Sequence, residues 1–306
     1  MPVEWAWLEA RRRDDVPDRG LKLPPRGGCV TLLLHGLTGS PAELAYLAFR
    51  LHREGRAGVR CPQLANHGQP LGVLARTTRR ELYESARQAF VAARDEARTR
   101  GAPLVVGGLS LGAILSLMLA AEFPADVAGV VCLSPTLFYD GWNVPWLRRL
   151  LPLARFTPLK NFSYFREGEP FGLKDEALRA RVAEQYAGMS LRDSEGAADL
   201  GYAHFPVRLF CEMQPLIERC KRILPRVTSP VLLVQAERDD MTGPRNARYI
   251  YRRVASERRE LIMLGNSYHV VSADLERASV GDHMLRFCGS LQAAGAPVRE
   301  KAVAHA

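Results

Sequence analysis

The segment Gly108-Leu109-Ser110-Leu111-Gly112 sets one serine between two glycines in a G-x-S-x-G pattern. Three fixed positions recur by chance in many chains, so the flanks decide how the pattern is read. Leu104-Val105-Val106 ahead of it is strand-like, and residues 111–121 behind it are helix-like and stop before Pro124. A serine on a tight strand-to-helix turn is held out as a nucleophile, with glycines where the two backbones come too close for side chains. The start of the helix favours the negative charge that develops on attack. The plain alternative is a glycine-rich turn with an incidental serine.

A serine nucleophile needs a base, an acid to orient the base, and donors for an oxyanion. The base is expected after the last strand-like run: residues 261–264 lead into Gly265-Asn266-Ser267-Tyr268-His269, which makes His269 the candidate. The acid is expected in a turn after an earlier strand. Residues 231–235 run into Ala236-Glu237-Arg238-Asp239-Asp240, and Asp239 is the choice. Asp240 competes, and is otherwise a solvated turn residue or a hydrogen-bonder to the next helix. The loop His35-Gly36-Leu37-Thr38-Gly39-Ser40-Pro41 follows an apolar run and can aim the Leu37 N–H at a carbonyl oxygen. A second donor would be the Leu111 N–H beside Ser110. His35 precedes the serine and is read as organising its loop. The chain order Ser110, Asp239, His269 differs from both common serine-protease orders.

These residues need a frame that brings distant turns to one place. Short apolar runs at 29–34, 59–62, 104–107, 127–133, 231–235 and 261–264 have the length of buried strands. Helical patterns at 41–54, 80–100, 111–121 and 244–253 separate them. The alternation predicts an α/β fold, a mostly parallel sheet covered by helices on both faces. It breaks between Thr136 and Arg226, where helix and coil patterns such as 175–185 hold no convincing buried strand. The expected organisation is a core over residues 1–135 and 227–290, an inserted helical cap at 136–226, and a frayed tail at 291–306.

Composition narrows the class. Across 306 residues, 47% hydrophobic and 25% charged content excludes a disordered or collagen-like chain. The formal charge is +9, and 37 of the 42 basic residues are arginines spread along the whole chain. No nucleic-acid motif accompanies them, so no nucleic-acid partner is expected. The uncharged stretch 104–121 has the length of a membrane span, but its strand, its Gly107-Gly108 break and its helix fit a buried turn instead. Six cysteines without a C-x-x-C pair suggest neither a disulfide framework nor zinc. The N-terminus shows no secretory signal, and a reduced, cytoplasmic setting is expected.

Taken together, Leu32-Leu33-Leu34-His35-Gly36-Leu37-Thr38-Gly39, Gly108–Gly112, Gln235–Asp239 and His269-Val270 resemble an α/β-hydrolase, within it the bacterial carboxylesterase and monoacylglycerol lipase group. Asn66-His67-Gly68 is similar to that group's Gly-His-Gly turn, with Asn66 in place of its first glycine. Tyr268 stands where the group has glycine before the base, and is expected to narrow the site or move the imidazole. The resemblance covers roughly residues 28–135 and 227–290. It implies an α/β-hydrolase fold and a serine hydrolase acting on small-molecule carboxylic esters of short to medium acyl chains. Ser110 would attack, His269 carry the proton and Asp239 orient the imidazole, with no metal or organic cofactor and an open oligomeric state. Thioester hydrolysis, aminopeptidase action and acyl transfer use the same triad, and a binding protein on this fold is the non-enzyme alternative. The segment 142–156 interleaves aromatic residues with arginines and makes Trp146 a candidate wall of the acyl pocket. A cap helix packed on its own domain is one alternative; a segment lying on a membrane surface is another, against which Pro145 and Pro152 argue. A histidine with its ordinary pKa of about 6.5 would make the rate rise to a plateau near neutrality.

Overall fold

Val30-Thr31-Leu32-Leu33-Leu34 is buried at every position, the pattern of a strand covered on both faces. The computed structural model describes residues 20–144, 156–187, 189 and 201–295. In chain order its strands are β1 (Leu21–Leu23), β2 (Val30–Leu34), β3 (Gly58–Cys61), β4 (Leu104–Leu109), β5 (Gly129–Leu133), β6 (Tyr164–Arg166), β7 (His204–Pro206), β8 (Val231–Ala236) and β9 (Arg259–Leu264). Its helices are α1 (Ala45–Arg53), α2 (Leu71–Leu74), α3 (Arg79–Arg100), α4 (Leu111–Glu122), α5 (Glu176–Ala187), α6 (Val207–Ile223), α7 (Arg245–Arg253) and α8 (Arg277–Gly295).

The main sheet runs β1-β3-β2-β4-β5-β8-β9, with every neighbour parallel except the β1–β3 edge pair. Side-chain alternation splits the core in two. Leu32 and Leu34 face the layer built by α3, α4 and α6, whereas Leu33 faces the layer of α1 and α8. Helix α3 opens with a Thr78–Glu81 capping box and ends on Gly101 in the left-handed region. The α/β architecture, sheet covered on both faces, is thus as the sequence predicts.

Four features go beyond the sequence reading. Strand β1 is too short, between Gly20 and Pro24, to show a period. The stretch from Thr136 to Arg226 contains a two-stranded antiparallel sheet, β6 with β7, whose Phe165 and Arg166 are exposed and so lack a buried-strand pattern. Within the same stretch α6 buries Leu209, Met213, Leu216 and Ile217 in the main core, while α5 packs into a separate small cluster around Leu173, Leu178 and Val182. Helix α8 also continues to Gly295, past the expected boundary at 290, and Leu291 is buried on it.

The tightest joint of the fold lies where α4 meets the end of β2. A Cβ on Gly112 would collide with the Leu34 carbonyl, and one on Gly108 with Leu34 O and the Gly112 backbone. Gly112→Ala is therefore expected to lower the free energy of unfolding by at least about 3 kcal/mol in chemical denaturation. Gly72→Ala in α2, where a Cβ would meet nothing within 4 Å, is the control and is expected to change stability by less than about 1 kcal/mol.

Candidate active site

Ser110 is the single residue between β4 and α4. Its backbone takes φ 56° and ψ −110°, outside the regions open to an L-residue at low cost. The turn is held from both sides: Ser110 N–H donates to Leu133 O at 2.9 Å, and the glycine contacts at Gly108 and Gly112 fix the helix start. The hydroxyl lies 2.8 Å from Thr136 Oγ1, in the loop after β5. Leu111 opens α4, so its N–H is one of the donors without an intrahelical partner.

His269 follows β9 and Asp239 follows β8, adjacent parallel strands whose carboxyl ends point the same way. The imidazole Nδ1 is 3.0 Å from Asp239 Oδ2 and 3.1 Å from Oδ1. Asp239 also accepts hydrogen bonds from Met241 N (2.8 Å), Thr242 N (2.7 Å), Gln235 Nε2 (2.9 Å) and Thr242 Oγ1 (3.2 Å). Four donors besides the imidazole hold the carboxylate in one orientation. Asp240 is separated from the ring: it accepts from the His269 backbone N–H at 3.2 Å and from Gly172 N–H at 3.1 Å. It is buried, not a solvated turn residue, and it ties the His269 loop to the segment before α5.

The loop His35–Ser40 is braced by two buried histidines. His35 accepts the Leu64 N–H on Nε2 at 3.0 Å and donates Nδ1–H to Gly36 O at 2.9 Å, the assignment the partners require. His67 Nε2 donates to Leu37 O at 2.6 Å. Asn66 adopts φ 61° and Gly68 φ 71°, so asparagine takes the left-handed place of the group's glycine, while its side chain donates to Thr77 Oγ1 at 3.2 Å. Tyr268 corrects the expectation that it narrows the site. Its ring packs edge-on to Trp142 at 5.5 Å and near Lys174, and it does not line the cavity.

One cavity joins Leu37, Ser110, Thr136 and His269 to an apolar wall of Tyr139, Phe171, Phe205, Phe210, Met213 and Met241. Trp146, expected in that wall, lies outside the described residues. Phe205, Phe210 and Met213 were legible only in part. The spacing of Phe210 and Met213 marks one face of α6, but core and pocket faces of a helix share that period. Glu43 and Glu167 also line the cavity and carry no motif.

Burial sets the electrostatics. It alone would lower the His269 pKa, but the charge and hydrogen bond of Asp239, with Asp240 and Glu43 behind them, raise it to about 9. Burial pushes the Asp240 carboxyl up, with His269 opposing. Burial likewise raises Glu43 to about 7, and Glu167 to about 8 with Asp240 and Glu43 adding repulsion and Tyr186 opposing. Burial drives the His35 pKa well below its ordinary value, and lowers that of His67 against the pull of the Leu37 and Ala65 carbonyls.

A parallel sheet with a serine on a strained turn and a paired histidine and aspartate at adjacent strand ends defines the α/β-hydrolases. Residues 25–276 match the family described as serine aminopeptidase, S33, and the chain belongs to that family. It is an α/β-hydrolase of the lipase and esterase group. The chain is 25% identical over 256 residues to the thermostable monoacylglycerol lipase of Bacillus sp. strain H-257, covering 84% of this chain and 88% of the relative. Identity to the carboxylesterase of Bacillus subtilis strain 168 is 24% over 265 residues, 87% and 94% of the two chains. Among solved structures, one from the work on LipS and LipT, metagenome-derived lipolytic enzymes, superposes with a TM-score of 0.71 at 26% identity, covering 89% of this chain and 97% of its own. A soluble variant of monoglyceride lipase from Saccharomyces cerevisiae shares the fold with a TM-score of 0.73 at 16% identity, over 92% of this chain and 94% of its own.

NMR of the ring nitrogens tests these electrostatics. The His269 imidazole is expected to be doubly protonated at pH 7 and to titrate toward about 9, while His35 stays neutral at pH 6.5. A neutral His269 ring at pH 7 would contradict the arrangement of carboxylates around it.

Proposed function

We propose that this protein hydrolyses carboxylic esters of short to medium acyl chains through an acyl-enzyme on Ser110. The observation that carries this reading is the buried pair His269 Nδ1–Asp239, whose imidazole lines the same cavity as Ser110 on its strained turn. In this mechanism the Ser110 hydroxyl leaves Thr136 and donates to His269 Nε2. His269 then takes the hydroxyl proton as Ser110 Oγ bonds to the ester carbonyl carbon, and it returns a proton to the leaving alcohol. Asp239 orients the ring and stabilises its cationic form. The N–H groups of Leu37 and Leu111 hold the oxyanion, and water repeats the sequence to release the acid. The apolar wall of Phe205, Phe210 and Met213 suits an acyl chain.

The names of the relatives, a monoacylglycerol lipase and a carboxylesterase, support ester substrates. A second reading has its own observation. Glu43 and Glu167 line the same cavity, and two carboxylates suit a free amino group, which favours aminoacyl amides as a further class. Aminoacyl nitroanilides beside acyl nitrophenyl esters separate the two readings.

Ser110→Ala is expected to lower ester turnover more than 10³-fold with the fold intact by circular dichroism, and Asp239→Asn by about 10⁴-fold. Asp240→Asn, which leaves the imidazole partner in place, is expected to cost far less. Equal losses from the two aspartates would mean the acid has been misassigned. Because the base must be neutral to take the proton, kcat/KM rises with pH through the His269 pKa. Its raised value places that rise near pH 9 rather than at the neutral plateau an ordinary histidine gives. Phe210→Ala is expected to lower kcat/KM for octanoyl esters by about tenfold more than for acetyl esters, and an equal loss on both would remove Phe210 from the acyl wall.

A further inference from the structure

Glu43 has no part in the mechanism above, yet it lies inside the site. It belongs to the 3₁₀ turn Pro41–Leu44 directly after the oxyanion loop, where an acidic residue ordinarily points to solvent. Here the side chain folds back under the loop, and Oε2 accepts the Gly36 N–H at 3.0 Å. Gly36 stands between His35 and Leu37. A Cβ on Gly36 would be 3.3 Å from Glu43 Oε2 and 3.8 Å from Ser110 Cβ, so carboxylate, loop and nucleophile meet at one point. Gly39 leaves the space for this, since a Cβ there would collide with the carboxylate.

The surroundings of Glu43 are acidic. His269 faces it from the loop after β9, with Asp239 and Asp240 behind the ring on the loop after β8. Glu167 faces it from the end of β6, hydrogen-bonded to Tyr186 of α5. Among the described residues lining the cavity, His269 is the one basic side chain.

Resting on the Ser110–His269–Asp239 reading, we propose that Glu43 is a positioning residue with two separable effects. Its carboxylate fixes Gly36, and with it the Leu37 N–H, and its negative charge favours the histidinium that forms on His269 as Ser110 attacks. No bond is made or broken at Glu43, and the serine proton goes to His269 alone. Burial raises the Glu43 carboxyl to about 7 against the pull of Gly36 N–H and His269, so the charge acts above that pH and is lost below it.

Glu43→Gln and Glu43→Ala, assayed on a neutral nitrophenyl ester from pH 6 to 10, separate the effects. Glutamine keeps an acceptor for Gly36 N–H but no charge. Its KM is expected to stay within about twofold of wild type, with the kcat/KM midpoint moved to lower pH by about half a unit or more and kcat lower by about tenfold. The direction follows from His269, which loses a nearby anion and gives up its proton more readily. Alanine also removes the anchor, and kcat is expected to fall by about 10²-fold with little change in KM. A glutamine profile that superimposes on wild type, or an alanine variant retaining kcat within about twofold, overturns the proposal. If the alanine variant fails to fold, the glutamine profile decides alone. Hydrolysis that survives Ser110→Ala overturns the underlying triad and this proposal together; hydrolysis that needs Ser110 while the glutamine profile is unmoved overturns this proposal only.

Discussion

The rest of the site depends on the contact between the first turn of α4 and the end of β2. The Leu34 carbonyl occupies the space where side chains at Gly108 and Gly112 would stand. Helix and strand can meet this closely only with glycine at both places, and Ser110, the one residue between β4 and α4, takes positive φ. Ser110 is therefore set at a fixed height above the sheet, with the start of a buried helix behind it. Because β2 runs straight into His35 and Gly36, the same contact brings the His35–Ser40 loop against the serine. Adjacent parallel strands β8 and β9 deliver Asp239 and His269 to the same edge, as expected for a parallel sheet whose ligand crevice lies at the carboxyl ends of its strands.

That geometry concentrates negative charge. Asp239, Asp240, Glu43 and Glu167 all act on or around one imidazole. Their roles differ by what each oxygen accepts. Asp239 takes the ring and donors from three neighbouring residues, which fix its orientation; Asp240 takes two backbone N–H groups and joins two loops. Glu43 and Glu167 have fewer donors, and burial holds them near the point of protonation at neutral pH. A raised histidine pKa is the direct consequence, since the cationic ring is the form this field favours.

Much of this was legible in the residues. The G-x-S-x-G turn, the apolar runs and the chain order of serine, aspartate and histidine located the sheet and the three side chains, because each is a local pattern with its own period or turn chemistry. What sequence does not carry is where a side chain turns once it leaves the backbone. Glu43 reads as an ordinary acid in a first helical turn, and only the fold reveals that it points inward to Gly36. Asp239 and Asp240 are adjacent in sequence and differ only in which donors the fold brings to them. Tyr268 does not narrow the site for the same reason: its neighbour in sequence is His269, but its ring turns away to Trp142. Strands β6 and β7 were hidden because each is only three residues long, too short to carry a period.

The central claim is that Ser110, activated by His269 and Asp239, is the nucleophile. Covalent labelling of the whole chain with a fluorophosphonate, followed by peptide mapping, tests it without choosing a substrate. The adduct is expected on the peptide containing Ser110 and on no other serine, with labelling slowed by at least about 10²-fold in Asp239→Asn. An adduct elsewhere, or labelling of Ser110 at the same rate in wild type and Asp239→Asn, would contradict it.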